Sequence, residues 1–184
     1  MLSLKETKEI KKGVIKYQLI MRMYGETDVS ENRDFQRLYN GFYIMAWRSE
    51  DWYSYYYKML EGLKKHSSSF EEILKALKEQ SGRLEASFAS KMYATRDPEY
   101  PIIDKWVLKY MHLSLSYSAN QQNRFENAVQ LYRDLIVRYK ELSRSKEGKE
   151  YIKLFEGICP NSDISDIKKI DFILWQLGRR NGLR

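Results

Sequence analysis

Pro98 and Pro101 stand three residues apart in a chain with only 3 prolines among 184 residues, and they set a corner that no helix can run through. Proline lacks a backbone donor and biases the residue before it away from helical geometry. A helix carrying Leu84, Phe88 and Met92 at four-residue steps must therefore stop near Arg96. Beyond the corner, Asp104 offers a side-chain oxygen to the first amides of a new helix with Val107, Leu108 and Met111 inside. Ahead of it, Ser69 and Glu72 form a capping-box pair before Ile73, Leu74 and Leu77, which predicts a helix from Phe70 to about Gln80; Ser81 and Gly82 then turn the chain. The centre of the sequence thus reads as helix, turn, helix, proline loop, helix.

Elsewhere, the 9 glycines leave little punctuation for a many-stranded sheet, and 43% hydrophobic with 31% charged residues suits long amphipathic helices. The expected fold is all-α, a single compact domain of about eight or nine helices over residues 1–178, followed by a basic tail, 179–184. The first helix runs from Ser3 to about Tyr24, ended by Gly25. The second, capped by Ser30, repeats Phe35, Leu38, Phe42 and Met45, with Tyr39, Tyr43 and Ala46 beside them. The third starts at Ser49, with Glu50 and Asp51 at its dipole-positive end and Lys64, Lys65 and His66 at the other. It turns Tyr53, Tyr56 or Tyr57, Leu60 and Leu63 inward and leaves Trp52 and Tyr55 on a flank. A long helix holds Phe125, Val129, Tyr132, Leu135 or Ile136, Tyr139 and Leu142. A polar break, SRSKEGKE, separates it from a short helix with Tyr151, Ile152 and Phe155, and GICPNSD is a loop. The last helix, capped by Ser165 or Asp166, ends at Gly178. HLSLSYS alternates like a strand but has no partner strand, and reads as an irregular connection or a helix end.

A net charge of +7 and a pI near 9.3 favour acidic partners. The single cysteine, Cys159, excludes an intrachain disulfide and fits a reducing compartment. No apolar run reaches a membrane span, and MLSLKETKEIKKG has charges where a signal peptide needs its apolar centre, so the expectation is cytoplasmic, without a membrane partner. No GxGxxG, Walker-type loop or GxSxG occurs, and His66 and His112 lack zinc-helix spacing, so neither metal nor cofactor is expected. Cys159 has no histidine near in sequence to activate it. Aromatics at helical spacing, such as Trp47, Tyr53, Tyr56, Tyr132 and Trp175, read as core. Trp52, Tyr55 and Tyr100 are the candidates for stacking on unpaired bases. Arg179, Arg180 and Arg184 read as a phosphate-binding tail or as a solvated helix end.

Lys91 and Asp104 flank the proline loop. A lysine amine can attack a sugar aldehyde carbon when burial or neighbouring cations lower its pKa, and a nearby carboxylate can handle the proton. Ala86, Ala89, Ser90 and Ala94 are small enough to let a ligand approach that helix. The structural alternative is a surface lysine and a helix-capping aspartate. Helix, turn, helix bearing Ser90-Lys91, then the proline loop and Pro101-Ile102-Ile103-Asp104, resembles the helix-hairpin-helix DNA glycosylases, including the 8-oxoguanine type. The resemblance implies that Lys91 attacks the deoxyribose C1′, that Asp104 assists, and that the backbone from Ser81 to Arg83 grips a phosphate of duplex DNA. Arg83, Arg96, Lys105 and Lys109 would then be further phosphate contacts. The family's hairpin has two glycines just ahead of its lysine, whereas here Gly82 stands alone and Lys91 lies two helical turns beyond it. The phrases SFASKMYATRDPEYPIIDKWVL and KKIDFILWQ also resemble segments of small bacterial helical proteins to which no function attaches. The competing expectation is a non-enzymatic helical protein that binds a nucleic acid or a protein, with the same segment serving as a corner.

Overall fold

The computed structural model describes residues 2–45, 48–115 and 120–182. Among them lie nine helices and no strand: α1 (Leu4–Glu26), α2 (Arg33–Tyr43), α3 (Glu50–Gly62), α4 (Phe70–Ser81), α5 (Ala86–Arg96), α6 (Lys105–Tyr110), α7 (Gln121–Arg144), α8 (Lys146–Ile158) and α9 (Asp166–Gly182). They form two compact units, a terminal unit of Met1–Lys11 with Asp97–Arg184 and a central unit of Lys12–Arg96.

Local chemistry sets most helix starts in the central unit. Asn32 and Ser49 accept from Phe35 N and Trp52 N to open α2 and α3, and Ser69 with Glu72 completes the capping box of α4. Gly82, at φ 67°, closes α4 in the left-handed region that favours glycine, its N–H donating to the Lys78 carbonyl at 2.8 Å. The core is aromatic. Phe35, Tyr39, Tyr56, Tyr57 and Leu60 are fully buried against Ile73, Leu74 and Leu77, with Phe35, Tyr39 and Tyr57 in mutual ring contact. The phenols find partners: Tyr39 Oη lies 3.1 Å from Tyr56 Oη and 3.0 Å from Thr95 Oγ1. Tyr56 donates to the Phe88 carbonyl, and Tyr57 Oη lies 2.7 Å from Asn40 Oδ1. Desolvation raises the pKa of Tyr39, Tyr56 and Tyr57, keeping all three neutral.

In the terminal unit α9 packs on α6, α7 and α8. Two glycines allow close approach. A Cβ on Gly178 would stand 2.1 Å from the Trp106 carbonyl oxygen, and one on Gly148 would stand 1.8 Å from that of Leu142. Both are helical, and neither ends its helix. The polarity buried here includes an ion pair. Lys168 donates to Asp171 Oδ2 at 2.9 Å, and Tyr139 donates to Asp171 Oδ1 at 2.8 Å, with the three residues 2%, 7% and 0% exposed.

Several boundaries differ from the sequence reading. α1 runs through Gly25 to Glu26, because an isolated glycine costs a helix only about 1 kcal/mol. The polar break between α7 and α8 is one residue, Ser145, which caps both helices. α9 passes Gly178, so Arg179 and Arg180 are helical rather than part of a tail, and they pair with Glu9 at 3.1 Å and Glu6 at 3.2 Å. Trp52 is not on a flank: it is 5% exposed and stacks on Tyr56 at 5.1 Å. Tyr53 is only half-buried. Ala46, Trp47, Ser116–Ser118 of HLSLSYS and Arg184 lie outside the described residues. No helix among the described residues is long and apolar enough to cross a membrane.

Candidate functional site

The α4–α5 corner of the central unit is built around one ion pair. Glu85, 5% exposed, receives two hydrogen bonds from Arg48, Nε to Oε1 at 2.9 Å and Nη2 to Oε2 at 2.8 Å. Such a two-pronged contact fixes the guanidinium plane. The guanidinium also lies over two adjoining rings, with Cζ 4.9 Å from the Phe88 centroid and 5.7 Å from that of Trp52. Arg48 thereby ties the entry to α3 to the start of α5.

Beside this pair lies an open cleft of about 360 Å³, lined by Arg48, Ser49, Asp51 and Trp52 from the start of α3 and by Gln80, Ser81 and Arg83 from the α4 turn. The first turn of α3 presents backbone donors at the positive end of its dipole, one of them already taken by Ser49 Oγ. The turn residues are held by Ser81, whose Oγ accepts from Arg83 N at 3.1 Å. Arg83 is exposed, and among the described residues its guanidinium has no ion-pair partner. Trp52 is part of the wall rather than an open stacking platform, packed on Tyr56 and, at 5.0 Å, on Phe88; its indole Nε1 has no hydrogen-bond partner among the described residues.

Of the residues singled out in the sequence, Arg83 and Trp52 meet in this cleft. Lys91, on α5, is 7% exposed, with Nζ 5.0 Å from the same Phe88 ring that faces Arg48. Arg96 ends α5 half-buried, and its charge acts on Tyr24, whose phenol burial and the Glu61 carboxylate push up to about 12 against the pull of Arg96. Tyr55 is half-exposed on α3 and does not line the cleft.

The remaining candidates belong to the terminal unit. Asp104 caps α6, its Oδ1 accepting from Trp106 N at 2.8 Å and Val107 N at 3.4 Å, and its charge is felt by the Tyr139 phenol, which burial and Asp171 already push well up. Lys105 is exposed, with Nζ 4.4 Å from the Trp106 centroid. Lys109 is exposed, and Tyr100 is half-buried after the turn at Asp97. No group of three or more His, Cys, Asp or Glu able to hold a metal is present among the described residues. Cys159 is half-buried, and burial raises its thiol pKa, the wrong direction for a nucleophile.

The sequence reading missed Arg48, Glu85, Gln80 and the Lys168–Asp171 pair. One signal was present: Asp171 falls four residues after Ile167, on the register that buries that residue, so a carboxylate stood at a core position. Arg48 and Glu85 are 37 residues apart, and no local pattern joins them. No protein-family model, no curated protein and no solved structure matches this chain.

Proposed function

We propose that this chain is a helical nucleic-acid-binding protein whose contact surface is the cleft between the start of α3 and the α4 turn. The observation that carries this reading is the exposed Arg83, set by a left-handed glycine turn beside the amide-rich end of α3, in a chain of net charge +7. Backbone donors and a guanidinium at one opening suit a phosphate oxygen, and the surplus positive charge steers a polyanion towards it. Fluorescence anisotropy with a labelled oligonucleotide tests this. Binding should weaken steeply as salt rises, and Arg83→Ala should lower the salt slope by about one. No binding at low salt sinks the reading.

A second reading is the glycosylase and lyase chemistry, in which duplex DNA delivers an extruded base and Lys91 attacks its sugar. It is favoured by one feature, that Lys91 is almost wholly withdrawn from water on the helix following the turn. Borohydride should then trap a covalent adduct with DNA carrying an abasic site, and Lys91→Ala should abolish it. The absence of any adduct from a protein that still binds DNA leaves the binding function alone.

A further inference from the structure

The cleft holds groups of both signs. Asp51 and Arg83 line it from different elements, both are exposed, and among the described residues neither has an ion-pair partner. Arg48, by contrast, is committed to Glu85. A site meant only for phosphate gains nothing from a carboxylate on its wall, because like charges repel. Besides complementing the α3 dipole, the carboxylate can accept hydrogen bonds from a ligand that brings donors. A volume of about 360 Å³ falls at the small end of ligand pockets, enough for one nucleotide unit rather than a duplex.

Resting on the nucleic-acid reading above, we propose that the cleft takes a single unpaired nucleotide and selects a base with an exocyclic amino group, Arg83 holding the phosphate and Asp51 accepting from the amine. An ionised carboxylate only accepts, and cytosine N4 is a natural donor to it. Uracil presents its one ring donor, N3–H, between two carbonyl oxygens that a carboxylate repels. Gln80 carries both a donor and an acceptor and can serve either base, so discrimination falls to Asp51. Trp52 forms the apolar wall but is too buried to act as a full stacking platform.

The test compares oligo(dC) with oligo(dU) of equal length at one salt concentration, because the two bases differ only at C4 and N3, the edge Asp51 would read. The full chain should bind oligo(dC) roughly fivefold more tightly, the low end of what a specific base contact provides. Asp51→Asn, whose amide donates as well as accepts, should bring the two Kd values together, while Arg83→Ala should weaken both by the same factor. Helical content and thermal unfolding of each variant confirm that the fold is retained. Equal binding of the two oligomers by the unaltered chain, or discrimination that survives Asp51→Asn, overturns the selectivity while leaving nucleic-acid binding in place. Failure to bind either oligomer, or any single strand at low salt, overturns both.

Discussion

The two units differ in how they hold one buried tyrosine. Each buries large tyrosines, and each must satisfy their hydroxyls. The central unit pairs three of them with neutral groups, linking Tyr39 to Tyr56 and Thr95, and Tyr57 to Asn40, while the buried Tyr24 hydroxyl has no hydrogen-bond partner among the described residues. The terminal unit gives Tyr132 a neutral acceptor, the Pro101 carbonyl, but hands Tyr139 to a carboxylate that must itself be neutralised by Lys168. A neutral network loses a little when one member is removed, whereas an ionic one leaves a charge stranded in a poor solvent. The glycines differ too. Gly25, Gly41, Gly62 and Gly82 of the central unit would meet nothing within 4 Å if given a Cβ, as would Gly157 of the terminal unit, whereas Gly148 and Gly178 of the terminal unit face backbone.

Alkaline pH should produce the largest effect, and it acts on raised phenols in both units, Tyr139 of the terminal unit among them. Phenols in an unfolded chain ionise near pH 10. Tyr39, Tyr56 and Tyr57 have folded-state pKa values raised above that, and Tyr24 is pushed up to about 12. A raised phenol leaves stability whole below pH 10 and erodes it as pH climbs, because only the unfolded chain releases the proton. Phenolate absorbance should therefore rise together with loss of helical circular dichroism above pH 10. Tyrosines that titrate with the helices intact would contradict this.

Next in size is Lys168→Met, which leaves the Asp171 carboxylate buried without its cation and should cost about 3 kcal/mol or more in urea unfolding. Gly178→Ala and Gly148→Ala should each cost roughly 1–3 kcal/mol, because the intruding methyl meets a carbonyl rather than a flexible side chain. Gly41→Ala, inside α2, should be stabilising by about 0.5–1 kcal/mol. Tyr39→Phe should cost only about 1 kcal/mol, since Tyr56 keeps the Phe88 carbonyl and Thr95 keeps that of Lys91. A larger loss from Tyr39→Phe than from Lys168→Met would reverse the comparison.

What was legible in the sequence was short-range. Ser69, Gly82 and Asp104 cap helices with their own side chains or backbone angles, and each does so where its neighbours indicate. The register of α3 was not legible, because Trp52, Tyr53, Tyr55, Tyr56 and Tyr57 put an aromatic on nearly every face and periodicity cannot rank them. Gly178 reads as a terminator because the reason for its small size, the Trp106 carbonyl, lies 72 residues earlier in the chain. The cleft was half legible. Arg83 and Trp52 stand out by type, but Arg48, the residue that builds the wall, lies outside any helix and joins a partner far along the chain.

The most direct test of the central claim, that the α3–α4 cleft is the binding surface, is a titration of the isotopically labelled chain with a short single strand, read by amide and indole resonances. The account predicts that the Trp52 indole and the amides of Ser49–Trp52 and Ser81–Arg83 shift together and saturate with one affinity, while those of α7 and α8 stay still. Shifts confined to the terminal unit, with the Trp52 indole unmoved, would contradict it.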